Sequence, residues 1–118
     1  MTDRSNAGAV DRLVEAYNTG DMEAFIGCFA PDAKIYRFPD TLLHDGLSAI
    51  RTQYRAPLEQ EYRTEVSERI VVGGHVVERE RVTRPGGEPT EYLTIYTVAD
   101  GKIARVDFLG AEAMAQPR

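Results

Sequence analysis

The first half of the chain carries apolar residues at helical spacing. Val10, Leu13, Val14 and Tyr17 fall at i, i+3, i+4 and i+7, and Gly20 follows as a helix end. The same spacing predicts two more helices, near 22–29 and 47–58, with a short strand at 34–38 and a loop up to Gly46 between them. We therefore expect three helices before residue 60.

The second half alternates apolar and polar residues with a period of two, which predicts strands near 64–72, 75–84, 90–98 and 103–109. Gly73-Gly74 and Asp100-Gly101 are two-residue hairpin signals, and 85–89 is a Pro/Gly-rich loop. The strands should form an antiparallel meander. The whole pattern indicates an α+β fold, and the length of 118 residues suits a single domain over 1–118.

The hairpin turns predict which side chains share a sheet face. Arg69 should lie opposite Glu78, and Tyr96 opposite Arg105. With 85–89 as the middle loop, Glu78 lies beside Tyr96 and Glu80 beside Thr94. One face is then apolar near the hairpin end and charged in its middle, in two rows: Arg69/Glu78/Tyr96/Arg105 and Ser67/Glu80/Thr94/Asp107.

The opposite face presents an apolar patch on the last two strands, made of Leu93, Ile95, Val106 and Phe108. Such a patch needs a cover, either the helices or a second subunit. If the helices cover it, the two faces are inverted and the charged face is simply solvated.

Composition and charge exclude several partners. The formal net charge is −5, which leaves no basic face for nucleic acid or anionic lipid. No apolar run approaches the roughly 20 residues of a membrane span, and no signal peptide is apparent. The single Cys28 excludes an internal disulfide and lies in an apolar segment. We expect a cytoplasmic protein that binds neither nucleic acid nor membrane.

Two histidines and one cysteine, none of them clustered, give no metal-site spacing. The sequence also has no glycine-rich phosphate loop, nucleophile elbow or triad spacing. We expect neither a metal nor a cofactor.

Four short motifs, in this order, resemble the nuclear transport factor two-like superfamily, in particular its SnoaL-like and ketosteroid-isomerase-like branch. They are Tyr17-Asn18-Thr19-Gly20-Asp21, Phe29-Ala30-Pro31-Asp32-Ala33, Gly46 with Ala49-Ile50, and Asp100-Gly101-Lys102-Ile103. The resemblance covers nearly the whole chain. It implies a cone of three N-terminal helices packed on a curved, mainly antiparallel sheet, with a ligand cavity on the concave face and a homodimer formed through the convex face.

The catalytic residues of the isomerases do not carry over. The resemblance places Leu13 at their tyrosine, Arg37 at their aspartate base and Thr94 at their second acid. That chemistry requires a carboxylate base and donors for the oxyanion. Ketosteroid isomerase activity is therefore disfavoured.

Candidate chemistry rests on the charged rows. Glu80 and Asp107 could divide acid and base roles, with Arg105 keeping one of them ionised; relatives with epoxide hydrolase activity use two carboxylates and an arginine. His44 lies in the predicted loop at the pocket mouth. The expected ligand contacts are Tyr17, Arg37, His44, Arg69, Glu78, Tyr92, Thr94 and Tyr96.

Three functional interpretations stay open. The first is a homodimer that binds a small organic ligand in a polar-walled cavity. The second is an isomerase, cyclase or epoxide-hydrolase-type enzyme, and the third is a non-catalytic dimerisation domain. A structural interpretation competes with all three, because Arg69–Glu78 and Glu68–Arg79 can be cross-strand ion pairs that fix register.

Overall fold

The computed structural model describes residues 2–110, with side chains from residue 6 onward. Three helices lie at α1 Thr2–Thr19, α2 Met22–Gly27 and α3 Leu47–Glu59. Six strands lie at β1 Phe29–Arg37, β2 Thr41–Asp45, β3 Arg63–Val72, β4 His75–Thr83, β5 Thr90–Ala99 and β6 Lys102–Leu109. None of the helices in this part of the chain is both long and apolar enough to cross a membrane.

The strands form one sheet in the order β2-β1-β6-β5-β4-β3. β1 and β6 run parallel, and the other neighbours run antiparallel. The three helices pack on one face, which we call the inner face; the other is the outer face. The result is a mixed α+β, cone-like fold, as predicted. The helices do not all precede the sheet, because β1 and β2 lie between α2 and α3 in the chain.

The segment between the second and third helices is more extended than its sequence pattern indicates. α2 ends at Gly27, so Phe29 opens β1 rather than ending a helix. The predicted loop before Gly46 contains strand β2, which pairs His44 with Ile35. His44 is therefore a strand residue that shares a face with the buried Ile35, and its placement in a loop was wrong.

The register of the first hairpin is confirmed near its turn and changes farther along. Arg69 lies opposite Glu78, as predicted, but a β-bulge at Ser67 places Val66 opposite Glu80. Between β4 and β5 the register differs from the prediction by two residues, since Glu78 lies opposite Thr94 and Glu80 opposite Tyr92. A shift of two residues keeps every side chain on its predicted face.

A bulge in β6 does change the faces. Val98 pairs with Ile103 and Thr97 with Arg105, so Ala104 is an extra residue in the strand. Beyond it the alternation is inverted, as one added residue must do. Tyr96 thus lies opposite Val106 rather than Arg105. Two more side chains exchange faces, Phe108 moving inward and Asp107 outward.

The core lies between the helices and the inner face. The apolar end predicted for this face is confirmed, because Val76, Val98 and Ile103 are buried. Helical residues such as Val10 and Ile50 complete it at 0% exposure. The inverted arrangement, with the charged face in solvent, is excluded because Glu78 and Glu80 are 0% and 1% exposed.

Polar contacts attach α1 to β3 and its turn. The Asn18 side chain donates to the Thr64 carbonyl at 3.0 Å and accepts from the Thr64 amide at 2.7 Å. Near the other end of the helix, Asn6 donates to the Gly73 carbonyl at 2.7 Å. These contacts hold the helix over the inner face.

Gly20, between α1 and α2, should tolerate alanine less well than Gly101. Both have positive φ, 73° and 75°, so both substitutions impose about 1–2 kcal/mol of backbone strain. A Cβ at Gly20 would also lie 3.0 Å from the Leu58 carbonyl oxygen, whereas a Cβ at Gly101 meets nothing within 4 Å. Urea unfolding should show a larger loss of stability for Gly20→Ala. Equal losses would contradict the close packing of this turn against α3.

Candidate functional site

A small cavity lies between the three helices and the inner face. The space open to the centre of a water molecule is about 20 Å³, enough for about one water. Among the residues that line it, Glu80 alone carries an ionisable carboxylate. The lining is otherwise apolar, aromatic or hydroxylic: Leu13, Val14, Tyr17, Phe25, Phe29, Ile35, Tyr54, Thr64, Tyr96, Val106 and Phe108.

Glu80 on β4 is held by two hydroxyl groups from β5. The Tyr96 hydroxyl donates to Oε2 at 2.6 Å, and the Thr94 hydroxyl donates to Oε1 at 3.0 Å. Both bonds are buried. Because an ionised carboxylate accepts hydrogen bonds and a hydroxyl can donate one, this arrangement suits Glu80 in its charged form.

Glu78, two residues earlier on the same face, is fully buried. Its Oε2 accepts from Nε of Arg69 at 2.7 Å, while Oε1 has no hydrogen-bond donor facing it among the described residues. Burial, and then the neighbouring Glu80 carboxyl group, raise the pKa of Glu78 to about 8, against the opposing effect of Arg69. We call Glu78 and Glu80 the carboxyl pair. Near neutral pH the pair holds one proton, because two adjacent buried carboxylates do not both ionise readily.

Arg69 connects the carboxyl pair to the surface. Its Nη2 lies 2.5 Å from Oε2 of Glu78 and 2.5 Å from Oδ1 of the exposed Asp11 on α1. Asp11 raises the pKa of Arg69 the most, and Glu78 raises it further. Partial burial of Arg69 acts in the opposite direction but is outweighed, so the guanidinium stays charged. The interpretation of Arg69–Glu78 as a cross-strand ion pair is confirmed, and so is Glu68–Arg79 at 3.3 Å.

Arg105 and Asp107 do not join Glu80. The β6 bulge places both on the outer face, where Nε and Nη2 of Arg105 donate to Asp107 at 2.9 and 3.0 Å. The same guanidinium lies 3.7 Å from the ring centre of Tyr36, and Nη2 also donates to the Pro39 carbonyl at 3.1 Å. The predicted grouping of Glu80 with Arg105 and Asp107 is therefore wrong. The carboxyl group that accompanies Glu80 is Glu78.

Of the other residues predicted to contact a ligand, some lie at the cavity or beside Glu80 and others lie away from the cavity. Tyr17 and Tyr96 line the cavity, and Tyr92 and Thr94 are buried on the inner face beside Glu80. Arg37, opposite Phe108, and His44, opposite Ile35, are half-buried in β1 and β2 but do not line the cavity.

His44 is poorly suited to carry a charge. Its burial lowers the pKa of the imidazole, which favours the neutral ring. Within residues 2–110, no group of three or more His, Cys, Asp or Glu side chains could hold a metal ion.

Residues 10–106 match the family model of the SnoaL-like domain, which is more than half of the chain. The chain belongs to the SnoaL-like family. The predicted membership of the nuclear transport factor two-like superfamily is thereby confirmed. No curated protein is detectably similar to this SnoaL-like chain in sequence.

Several solved structures share the fold of this SnoaL-like domain. A candidate polyketide cyclase from Sinorhizobium meliloti is 28% identical, with a TM-score of 0.75 over 86% of this chain and 94% of that one. A cystatin-fold protein from Novosphingobium aromaticivorans is 24% identical, with a TM-score of 0.80 over 89% and 97%. SalBIII, an epoxide hydrolase/cyclase-like enzyme in pyran ring formation in the polyether salinomycin, is 18% identical, with a TM-score of 0.81 over 95% and 96%.

Sequence reasoning predicted Tyr17 as a ligand contact but missed the two other helical rings that line the SnoaL-like cavity, Phe25 and Tyr54. Each helix contributes one ring, from Tyr17, Phe25 and Tyr54. The centroid distances are 6.1 Å for Tyr17–Phe25, 6.2 Å for Tyr17–Tyr54 and 4.9 Å for Phe25–Tyr54. The signal was present, because all three residues lie on the apolar stripes of their helices, but a stripe does not distinguish a cavity wall from ordinary core.

Glu78→Gln should change how stability depends on pH. The pKa of Glu78 is raised from 4.5 to about 8 on folding, so between these values the native state binds more protons than the unfolded chain. The stabilising contribution is fully present below 4.5 and declines as pH rises towards 8, by up to about 1.4 kcal/mol per pH unit. Glutamine cannot ionise, so the variant should lose this decline.

Urea unfolding across this pH range measures the effect. Glu68→Gln is the matched control, because the Glu68 side chain is 70% exposed on the outer face, and it should keep the decline. An unchanged pH dependence in Glu78→Gln would contradict the shared proton.

Proposed function

We propose that this SnoaL-like protein binds a small organic molecule in the cavity, with the Glu80 carboxylate as its polar contact. The observation that carries the proposal is a carboxylate, 1% exposed, in the wall of an otherwise uncharged cavity. A ligand would place an apolar body against the aromatic rings and a hydrogen-bond donor against Glu80. The named relatives in polyketide cyclisation and pyran ring formation support a small organic ligand.

The energetics of burial support a functional role for Glu80. Removing a carboxylate from water costs several kcal/mol unless partners compensate it. Tyr96 and Thr94 supply two hydroxyl donors, but neither is a cation. An apolar side chain at this position would fill the core without that cost. A carboxylate kept here is typical of a binding or catalytic site.

Binding requires the cavity to enlarge. Its present volume of about 20 Å³ is far below the roughly 300–1,000 Å³ of ligand pockets. We propose that α1 moves, because several of its links to β3 and the following turn are polar and can exchange for water at small net cost. These links are Asn18 with Thr64, Asp11 with Arg69 and Asn6 with the Gly73 carbonyl.

Benzyl alcohol, an aromatic molecule with one hydroxyl donor, tests this proposal. Methyl NMR should show shifts at Ile35 and Val106, which line the cavity, and none at Ile70 and Val72, which are 63% and 67% exposed. Glu80→Gln should weaken binding about tenfold, because a hydrogen bond to a charged group contributes about 1.5–3 kcal/mol. Shifts confined to Ile70 and Val72, or an affinity unchanged in Glu80→Gln, would contradict the proposed site.

A second candidate function is an isomerase, cyclase or epoxide-hydrolase-type enzyme acting on the same ligand class. The carboxyl pair favours it, because Glu80 lines the cavity and can accept a proton, while burial and the neighbouring Glu80 raise the pKa of Glu78 so that it holds one. This replaces the predicted division of roles between Glu80 and Asp107.

Hydrolysis of cyclohexene oxide distinguishes catalysis by the carboxyl pair from the predicted catalysis by Glu80 and Asp107. If the carboxyl pair is the catalytic unit, Glu80→Gln should lose about 100-fold or more in rate, while Asp107→Asn should keep most of it. Asp107 is a suitable comparison because it is a largely buried carboxylate on the outer face. Loss of turnover in Asp107→Asn with retention in Glu80→Gln would contradict this mechanism, and no turnover in the unchanged protein would exclude epoxide hydrolysis.

We further propose that the chain is a single domain that acts in the cytoplasm as a homodimer paired through the outer face. The apolar patch there differs from the predicted one, because Val106 and Phe108 point inward. Its exposed members include Ile70, Val72 and Leu93, at 63%, 67% and 39%. A purely non-catalytic dimerisation domain would use this face alone and leave the cavity empty.

A further inference from the structure

We propose that the ligand of this cavity carries a cationic nitrogen, which lies against Glu80 and replaces the proton that the carboxyl pair holds. This inference rests on the proposed binding function and specifies the ligand class. It follows from the charges that the fold brings together on the inner face.

The carboxyl pair is short of one positive charge. Glu78 and Glu80 are 0% and 1% exposed, yet only one cation among the described residues, Arg69, makes an ion pair with either of them. Arg69 contacts Glu78 and divides its charge with Asp11 on α1. The negative charge of two buried carboxyl groups is balanced by one arginine only if one of the carboxyl groups keeps its proton. A second cation would remove the need for that proton.

Glu80 is the member of the pair that a ligand can reach. It lines the cavity, whereas Glu78 does not line it and contacts Arg69. The partners of Glu80 in hydrogen bonds are the hydroxyls of Thr94 and Tyr96, and neutral donors leave its charge uncompensated. A carboxylate oxygen can accept more than one hydrogen bond, so an ammonium group can be added to this arrangement.

The opposite wall of the cavity is also suited to a cation. Tyr17, Phe25 and Tyr54 place three aromatic rings there, one from each helix. Ring faces attract an ammonium group by about 0.5–2 kcal/mol, more when water is excluded. No lysine, arginine or histidine lines the cavity among the described residues. A buried carboxylate and aromatic rings in the wall of one cavity are the groups that recognise organic cations.

Other charge classes fit less well. An anionic ligand would place a like charge against Glu80 where the low dielectric strengthens repulsion. A neutral alcohol can donate to Glu80 but leaves the pair protonated. On binding a cation, an N–H···O bond forms to Glu80 and the proton of Glu78 passes to solvent. The titratable or charged groups around Glu78 and the cavity are Glu80 on β4, Arg69 on β3, Tyr92 and Tyr96 on β5, Asp11 and Tyr17 on α1, and Tyr54 on α3.

Benzylamine and benzyl alcohol, which have nearly the same shape, test the inference. Calorimetry at pH about 6.5, between the ordinary glutamate value and that of Glu78, should be run in two buffers of different ionisation enthalpy. Benzylamine should bind about tenfold more tightly or better, and should release close to one proton per site. Benzyl alcohol should release none. Equal affinities, or no proton release with benzylamine, would overturn the inference.

Two variants separate the roles of the carboxyl groups. Glu78→Gln should still bind benzylamine but release no proton, since the group that loses it is absent. Glu80→Gln should lose the preference for benzylamine over benzyl alcohol. The comparison of the two ligands on the unchanged protein stands even if a variant fails to fold.

Failure of the cation inference can be distinguished from failure of the binding proposal. If benzyl alcohol shifts the methyl groups of Ile35 and Val106 as strongly as benzylamine, the cation inference fails and the binding proposal stands. If neither molecule shifts them, the binding proposal fails as well. Benzoate binding more tightly than benzylamine would also overturn the inference, because it would require a net positive site.

Discussion

The burial of two carboxyl side chains on the inner face determines most of what is distinctive in this structure. Glu78 and Glu80 occupy positions where a small domain would ordinarily place apolar residues. Their presence explains why Arg69 reaches inward from β3, and why the hydroxyls of Thr94 and Tyr96 point at β4. Because Arg69 also contacts Asp11, the same cluster fixes α1 over the sheet. Stability and site chemistry thus depend on one group of contacts.

The β6 bulge at Ala104 gives the two faces different characters. Without it, Arg105 and Asp107 would point into the cavity and supply the carboxyl pair with a second cation. With it, the arginine pairs with Asp107 and stacks on Tyr36 at the outer face, and Val106 and Phe108 close the inner wall. One inserted residue therefore leaves the cavity with a single charged side chain. It also leaves the carboxyl pair with a proton to hold.

Much of the fold could be predicted because its signals are local. The Asp100-Gly101 turn has positive φ at both residues, as its sequence suggests, and the Arg69–Glu78 pair follows directly from the Gly73-Gly74 turn. The bulges at Ser67 and Ala104 carry no such signal, because neither residue needs an unusual backbone conformation that would select glycine. β2 was missed for a similar reason, since Leu42 and Leu43 are both exposed and give no alternation.

The candidate site could be predicted only in part. The shared face could be predicted, because side chains alternate with a period of two and a register shift of two residues leaves each on its face. The residues placed there in this way are Glu78, Glu80, Thr94 and Tyr96. Choosing between Asp107 and Glu78 as the companion of Glu80 required the position of a bulge. The aromatic wall required knowing which face of each helix meets the sheet, and that is a property of tertiary packing.

The most direct test of the account is the carbon-13 NMR titration of the side-chain carboxyl carbons of Glu78 and Glu80 in the unliganded protein. The shared proton predicts that the pair stays singly protonated through neutral pH and loses its proton near the pKa of about 8 that burial gives Glu78. Two carboxyl groups that are already fully ionised at pH about 6 would contradict it. In that case two ionised carboxylates would lie beside one arginine, and the pair would hold no proton for a bound cation to replace.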